Sequence, residues 1–493
     1  MKLFQKDPAF YKKVIILALP IALQSLIAVG VNMLDTIMVG SIGSAGSVYN
    51  AVDVGPLGKT AAELASEQSL SAVSLSNTFI GIYHIFCMGL GMGASVLVSR
   101  YYSMKKSGDE PENADRALKQ TVSLMLRLAL ALALIFALAT AIVPETLMQM
   151  YTKDSPIIAL GIDYFEWSVA SYFFTGVSLT STIALRSVRE VRYPLIVSIG
   201  AFFVNLGANY TFIFGKFGAP RMEVAGAALG TLIARTFEAV MIMSYLLFVD
   251  KEIGFRIKHL LMKTRSLISE YIRICIPVLV SDGILAIGTN AVSMINGHLG
   301  ETFVAANAVT AVTQQLSTVV VQGVSQAGAI VTGQTLGTGD KEKTMRQGYL
   351  FFGLGLGLGL ISAIFITLTK NPIIAFYAGK DASSGISPEA VAIANQLMLA
   401  ISFIIIFQAT NSIMTKGVLR GGGDTKMLML TDNIFLWAVS IPLGILAGFV
   451  FHFPAFWIYV CLKSDQIIKT FWSFARLRGG KWIKKISTGK TEG

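Results

Sequence analysis

Residues 17–40, LALPIALQSLIAVGVNMLDTIMVG, form an apolar stretch long enough to cross a bilayer, yet they include Pro20 and Asp35. About 20 apolar residues span the hydrocarbon core. An ionisable side chain at the centre of a bilayer costs about 2.5–3.5 kcal/mol on insertion scales, so it persists mainly where it faces protein or water. Asp35 is therefore the first candidate for a functional residue.

The composition is that of a polytopic membrane protein. Of the 493 residues, 54% are apolar and 14% are charged, and the mean hydropathy is +0.64. The net charge of +11 comes from short clusters of Lys and Arg between apolar runs. Because these clusters form no continuous basic face, we expect no nucleic-acid partner. Phosphate loops, nucleophile elbows and HExxH motifs are missing from the sequence, and the four histidines are scattered, so we expect neither an enzyme nor a metal or cofactor site.

Hydropathy predicts an all-α fold with twelve transmembrane helices. Their approximate bounds are residues 14–40, 71–99, 118–143, 158–185, 193–215, 224–249, 269–296, 303–333, 347–369, 390–415, 427–450 and 453–473. Lys and Arg concentrate at the N-terminus, in the even-numbered connections and in the tail, so we expect both termini to lie in the cytoplasm. We expect the protein to be a multi-pass protein of the plasma (inner) membrane. The opposite side has only Lys59, Lys153, Lys216, Arg221, Lys370 and Lys380.

The chain contains an internal duplication. Leu19-Pro20 matches Ile276-Pro277 at an offset of 257 residues, and residues 89–100 match residues 323–334 at an offset of 234. Each half has six predicted spans, an even number, so the repeat is parallel with a pseudo-two-fold axis along the membrane normal. Transporters built from repeats place their sites between the halves near the bilayer midplane.

The duplication also predicts the domain organisation. Residues 1–250 form an N-terminal six-helix bundle, residues 251–268 a cytoplasmic linker, residues 269–480 a C-terminal six-helix bundle, and residues 481–493 a basic cytoplasmic tail. The change of offset places an insertion at about residues 44–66, which is small and polar and reads as a loop or short outer helix.

Ionisable and amide side chains within the spans are the candidates for cation coupling. Asp35 can exchange a proton for a cation, although a structural hydrogen bond would also explain it. Asn205 and Asn209 are four residues apart and share a helical face, so they can supply oxygen ligands or hold the proton of a carboxyl group. Asp282, five residues after Pro277, is the candidate carboxylate of the second half.

Other polar and polarisable residues are candidates for the substrate cavity or for structural pairs. Met33 suits apolar or cationic ligands, although such side chains more often face lipid or the core. Gln408 and Asn411 add polarity to the tenth span. Arg235 and Glu238 are i, i+3 neighbours and are expected to pair with each other.

Three stretches resemble the multidrug and toxic compound extrusion (MATE) family of transporters: ALPIALQSLIAVGVNMLDTIMVG, VAGAALGTLIAR and GVLRGGGDTK. The resemblance covers about residues 12–475. It implies two six-helix bundles around a central cavity, with Pro20 as a bending proline, Asp35 as the coupling carboxylate, and Asn205 and Asn209 as polar positions of the fifth span. Some proton-coupled members have an Asp at the position of Asn209. An acidic position of the seventh span in other branches is Leu285 here, and Asp282 lies three residues earlier.

The resemblance implies antiport of H⁺ or Na⁺ against organic cations and other amphipathic small molecules, by a protein that contacts membrane lipid and that we expect to be monomeric. The alternative is a lipid-linked oligosaccharide flippase of the same superfamily. Such a protein needs several cationic side chains for an anionic headgroup, whereas the bases within the spans are few and Asp35 has the wrong charge. They are Arg127, Arg235, Arg273, Lys463 and Lys469.

Overall fold

A computed structural model describes residues 7–42, 61–108, 111–378 and 387–484, which are helical almost throughout. The predicted insertion at residues 44–66 lies outside this description up to residue 60. In the first half the helices are α1 (Pro8–Gly40), α2 (Ala61–Ser107), α3 (Pro111–Ile142), α4 (Pro144–Gln149), α5 (Ser155–Ser187), α6 (Arg192–Phe214) and α7 (Glu223–Ser244). In the second half they are α8 (Arg265–His298), α9 (Glu301–Gly337), α10 (Lys341–Ala378), α11 (Pro388–Ser412), α12 (Thr425–Phe435), α13 (Ile441–Ile445), α14 (Ala455–Leu462) and α15 (Ser464–Arg478).

Among the described residues, eleven helical segments are long and apolar enough to cross a membrane. The twelfth predicted span, residues 453–473, is divided, because α14 and α15 meet at Lys463 (φ −116°, ψ 16°). The backbone N–H of Asp465 donates to Ser440 Oγ at 2.7 Å, so a side chain satisfies an N–H that follows the break. Ser440 itself ends a π-helical turn, Leu436–Ser440, within the eleventh span.

Close contacts of two glycines follow the internal duplication, because each glycine packs against the first helix of the other half. A Cβ placed on Gly93 of α2 would lie 2.8 Å from the Cα of Cys275 in α8. A Cβ placed on Gly323 of α9 would lie 2.6 Å from the carbonyl oxygen of Ala18 in α1. Ala18 and Cys275 are equivalent at the offset of 257 residues. Helix α2 therefore packs against the first helix of the second half as α9 packs against the first helix of the first half.

One contact joins two equivalent positions of the repeat. A Cβ on Gly333 would lie 2.2 Å from Ser99 Oγ, and the two positions are related by the offset of 234 residues. In a two-fold arrangement a residue meets its own equivalent only beside the axis. The crossing of α2 and α9 at Ser99 and Gly333 thus supports a two-fold relation between the equivalent segments.

Contacts divide the chain into two compact units. Unit 1 contains Met1–Leu23, Met92–Leu118 and Arg265–Gly493, and unit 2 contains Gln24–Gly91 and Lys119–Thr264. Helices α1 and α2 contribute to both units, so the units do not coincide with the two halves of the sequence. The four-part domain division stays a prediction. Between α7 and α8, the predicted linker contains a short 3-10 helix, Ile257–Leu261. Arg127 of α3 donates a hydrogen bond to the carbonyl oxygen of Leu260 in this helix.

Candidate functional site

Unit 2 brings together three of the predicted coupling residues. Asn209 Nδ2 donates to Asp35 Oδ1 at 2.5 Å and to Asn205 Oδ1 at 3.3 Å. Both asparagines are buried, whereas Asp35 is half-buried. The two amides therefore form the buried part of a polar site, and the Asp35 carboxylate lies at its partly exposed side.

A glycine of α7 makes this geometry possible. A Cβ on Gly230 would lie 2.0 Å from Asn209 Oδ1, so only a residue without a side chain fits beside the amide. Asn209 Oδ1 is buried and lacks a hydrogen-bond partner among the described residues. Close packing of α7 thus holds the Asn209 amide with its Nδ2 toward Asp35 and leaves its oxygen as an unused acceptor.

Charged side chains of α7 complete the site. Arg235 Nη1 lies 2.9 Å from Glu238 Oε2, which confirms the predicted pair, and Arg235 also interacts electrostatically with Asp35. His84 of α2 interacts with both Arg235 and Glu238. Arg186 lies farther along, where it donates to Gln24 and interacts with Glu238. The i, i+3 spacing predicts the pair of Arg235 and Glu238 but not the electrostatic interaction of Arg235 with Asp35, because that interaction depends on how α1 and α7 pack.

Asp282 lies in an ion pair in unit 1. Its Oδ1 is 3.1 Å from Arg420 Nη2, with the side chains 19% and 6% exposed, respectively. The first half has a related contact, in which Arg186, the equivalent of Arg420, donates to Gln24 four residues after Pro20. This equivalence favours a structural role for the Asp282 ion pair. A coupling role for Asp282 stays a prediction.

The predicted substrate-cavity residues fall in different surroundings. Met33 is 49% exposed on α1. Gln408 Oε1 accepts a hydrogen bond from Gln314 at 3.1 Å, and Asn411 Nδ2 donates to Gln466 Oε1 at 2.8 Å. Gln408 and Asn411 therefore take part in side-chain hydrogen bonds of the second half, and their contact with substrate stays a prediction.

A buried charge network in the second half was not predicted. Lys469 Nζ lies 3.0 Å from Asp465 Oδ2 and 3.3 Å from Asp432 Oδ1, and the three side chains are 2–7% exposed. Gln466 Nε2 donates to Asp465 Oδ2 at 2.7 Å, which joins this network to Asn411. The i, i+4 spacing of Asp465 and Lys469 in the last span is the sequence signal that could have revealed half of the network. We call Asp432, Asp465 and Lys469 the second-half triad.

Among the described residues, no group of three or more His, Cys, Asp or Glu side chains could hold a metal ion. The second-half triad contains two carboxylates and an ammonium group instead.

Comparisons with known proteins point to one family. The profile of a family described as MatE matches residues 47–211 and 277–446, one match in each half of the chain. The chain is 24% identical over 426 residues to a probable multidrug resistance protein NorM of Thermotoga maritima, covering 85% of this chain and 87% of that protein. It is also 24% identical over 436 residues to the multidrug resistance protein NorM of Burkholderia vietnamiensis, covering 87% of this chain and 85% of that protein.

Solved structures share the fold. An outward-facing multidrug resistance MATE family transporter of the MOP superfamily superposes with a TM-score of 0.79 at 16% identity. The match covers 97% of this chain and 98% of that one. The all-helical polytopic architecture predicted from the sequence is confirmed by this match.

Proposed function

Because the chain belongs to the MATE family of multi-pass membrane transporters, we propose that it is an antiporter that exports organic cations and other amphipathic compounds in exchange for H⁺ or Na⁺. The site around Asp35, Asn205 and Asn209 is the proposed coupling site. The protein is a transporter and not an enzyme, and it has the fold of multidrug exporters. The names of the NorM relatives support the assignment of amphipathic drugs as substrates.

The observation that carries the proposal is the setting of the Asp35 carboxylate. It is half-buried and accepts a hydrogen bond from the neutral amide of Asn209, and no Lys or Arg of the described residues forms an ion pair with it within 4.0 Å, since Arg235 pairs with Glu238. A charge removed from water needs a partner, so a cation is favoured at this half-buried carboxylate. A proton, a sodium ion and the charged end of an organic cation are alternative occupants of such a position. Competition between them is what antiport requires.

The energetics limit what one coupling ion achieves. Moving one charge through about 100 mV is worth about 2.3 kcal/mol. If a monovalent organic cation leaves as one ion enters, this electrical contribution cancels. A tenfold ion gradient then supplies about 1.4 kcal/mol. Steeper accumulation requires either an uncharged substrate or more than one coupling ion.

The proposed orientation has both termini in the cytoplasm of a cell that carries the protein in its plasma membrane. Arg100, Lys105 and Lys106 at the end of α2 then lie on the cytoplasmic side, in agreement with the positive-inside rule. We propose a monomer as the functional form, since the site around Asp35 is assembled from helices of one chain.

A flippase for anionic lipid-linked oligosaccharides finds little support in the placement of basic side chains. Arg127 donates to the Leu260 and Met262 carbonyls of the linker, and Arg235 pairs with Glu238. Arg273 lies 2.7 Å from Glu270. Since these guanidinium groups already have partners, they do not form a cationic surface for a headgroup.

Transport in proteoliposomes tests the proposal. The full-length protein would be reconstituted with ethidium as the probe, and pH and Na⁺ gradients would be imposed separately. We expect ethidium to accumulate against its gradient when at least one ion gradient is present. Equal ethidium movement with and without both gradients would rule out antiport. Transport of a fluorescent anionic lipid but not of ethidium would favour the flippase.

A further inference from the structure

We propose that the connection between α7 and α8 lies on the membrane surface and binds anionic phospholipid. Residues 250–264, which we call the linker segment, place exposed apolar side chains beside exposed lysines. The proposed orientation of the chain decides only that the leaflet is the cytoplasmic one. Binding of the lipid requires neither antiport nor a coupling ion, so this proposal and the proposed function can fail separately.

Two apolar side chains of the 3-10 helix Ile257–Leu261 are left almost uncovered by the described residues. Ile257 is 74% exposed and Leu261 is 86% exposed. Both lie between two spanning helices, Glu223–Val249 and Arg265–His298, and not within either of them. Apolar surface is driven out of water, and exposed apolar patches with a polar rim mark contacts with membranes or partners. The pair therefore needs an apolar environment outside the chain.

Polar side chains of α3 hold the backbone of the linker segment in place. Gln120 Nε2 donates to the carbonyl oxygen of Lys263 at 2.7 Å, and Ser123 Oγ donates to that of Leu260 at 2.9 Å. Arg127 also donates to the Leu260 carbonyl. The spacings of three and four residues place the three donors on one face of α3. The 3-10 helix is thus fastened along α3.

These contacts also indicate the depth of the linker segment. The predicted span of α3 begins at about residue 118, so the donors at residues 120–127 belong to its first two turns, over a rise of about 10 Å. Amphipathic elements at membrane surfaces bury their apolar side about 5–10 Å into the boundary between headgroups and acyl chains. At the same end of α7, Tyr245 stacks on Tyr193 with ring centroids 4.0 Å apart, and tyrosines are enriched at this boundary.

Three lysines give the exposed side of the linker segment a positive charge. Lys258 follows Ile257 directly, Lys263 lies two residues after Leu261, and Lys251 lies at the start of the segment. All three are exposed, and no carboxylate of the described residues forms an ion pair with them. Their ammonium groups are therefore available to an anionic partner.

The carboxylates of the linker segment do not cancel this charge on its exposed side. Asp250 is 3% exposed and accepts hydrogen bonds from the backbone N–H groups of Ile253 at 3.0 Å and Gly254 at 3.2 Å. Glu252 is half-buried. The segment thus turns one acidic side chain inward and presents its lysines outward.

An anionic phospholipid satisfies both features of the linker segment at once. Its phosphate group neutralises the lysines, and its acyl chains take Ile257 and Leu261 out of water. A soluble anion would leave the apolar pair in water. A protein partner would have to reach a helix that is fastened along the first turns of a membrane span. Lipid is therefore the partner that the placement favours.

Native mass spectrometry of the purified full-length protein tests the proposal without any transport. Phosphatidylglycerol and phosphatidylcholine would be titrated separately into the protein in detergent. Each basic residue near an anionic lipid surface contributes about fivefold in affinity. We therefore expect Lys258→Gln/Lys263→Gln to weaken phosphatidylglycerol binding about tenfold or more and to leave phosphatidylcholine binding unchanged.

Two further variants control for folding and for charge in general. Lys258→Arg/Lys263→Arg keeps both charges and should bind phosphatidylglycerol as the wild type does. Lys341→Gln/Lys343→Gln is the matched control, because these two exposed lysines at the start of α10 flank the exposed Glu342 and not an apolar pair. We expect no change in phosphatidylglycerol binding for this control.

Fluorescence quenching in nanodiscs tests the depth of the apolar pair. Bimane attached to Leu261→Cys should lose most of its emission when the nanodisc contains phosphatidylglycerol with brominated acyl chains. Bimane attached to Lys343→Cys should keep its emission. Wild-type protein treated with bimane corrects for the native cysteines, of which Cys87 and Cys275 are buried.

Four results would overturn the proposal. They are unchanged phosphatidylglycerol binding by Lys258→Gln/Lys263→Gln, an equal loss in the Lys341→Gln/Lys343→Gln control, displacement of the lipid by inorganic phosphate at equal concentration, and unquenched bimane at Leu261→Cys. The third result would identify a site for soluble anions. Because neither substrate nor an ion gradient is present, failure of ethidium export would reject the proposed function and leave lipid binding intact.

Discussion

The polar site of the first half and the charge network of the second half contain the same kinds of groups but differ in access. Asp35 is half-buried and is approached by a neutral amide, Asn209, at 2.5 Å. Asp432 is 5% exposed and is approached by a tethered ammonium group, Lys469, at 3.3 Å. A half-buried carboxylate can be reached by an ion or a ligand without unfolding of its surroundings, whereas Asp432 is enclosed and already contacts a base. The difference teaches that two halves with a common origin place carboxylates in unlike surroundings, and it makes Asp35 the better candidate for exchange.

The largest effect is expected for Asp35→Asn. Loss of this carboxylate removes the exchangeable negative charge of the open site, so we expect ion-driven ethidium accumulation in proteoliposomes to disappear. Glu166→Gln is the control, because Glu166 is an exposed carboxylate within the α5 span. Retained ethidium accumulation in Asp35→Asn would mean that Asp35 has no role in coupling. An equal loss in Glu166→Gln would mean that the effect is not specific to the half-buried carboxylate.

The sequence was sufficient to single out the three polar residues that meet in the first half, but not the second-half triad. Asp35 stood out as a charge in an apolar run, and the i, i+4 spacing placed Asn205 and Asn209 on one face. The triad depends on Asp432 reaching Lys469 from another helix. The helix break at Lys463 depends on Ser440, 25 residues from Asp465. Hydropathy does not register such tertiary contacts, and it therefore predicted a continuous twelfth span.

Gly230→Ala is expected to give the next largest effect, because it disturbs the amide that holds Asp35. The added Cβ would lie 2.0 Å from Asn209 Oδ1 and force the amide to move. Overpacking of this kind typically costs about 1–3 kcal/mol. We expect a lower thermal midpoint and at least a severalfold lower rate of ion-driven ethidium export. Gly207→Ala is the matched control, since its Cβ would meet nothing within 4 Å. Normal export by Gly230→Ala would show that the position of Asn209 does not matter for coupling.

Arg100→Ala tests the contact between the halves rather than either site. Arg100 of α2 is 4% exposed and donates to the carbonyls of Gly422 and Lys484, both at 2.7 Å, and of Gly421 at 3.3 Å. Hydrogen bonds to charged groups contribute about 1.5–3 kcal/mol. We expect a clear fall in the thermal midpoint of the detergent-solubilised protein, measured by intrinsic fluorescence. The exposed Arg116 provides the control Arg116→Ala, for which no change is expected. Equal melting of both variants would mean that this contact does not stabilise the observed arrangement.

The smallest effect is expected at the start of α1, where the two halves differ by one surface charge. Asp7 accepts a hydrogen bond from the Phe10 backbone N–H at 3.0 Å, and its carboxylate lies 2.5 Å from the guanidinium group of Arg346 in α10. The equivalent position before α8, at the offset of 257 residues, is the uncharged Thr264. The Phe10 N–H, followed by Arg346, lowers the pKa of Asp7 below 3.8. Its stabilising contribution is therefore complete above pH 3.8 and is lost as the pH falls through the lowered pKa.

Surface ion pairs contribute about 0–1 kcal/mol and are screened by salt. Asp7→Asn should accordingly lower the thermal midpoint only slightly at neutral pH, and less so at high salt. A fall as large as that of Arg100→Ala would mean that the exposed pair of Asp7 and Arg346 stabilises the protein as much as the buried contacts of Arg100, contrary to this prediction.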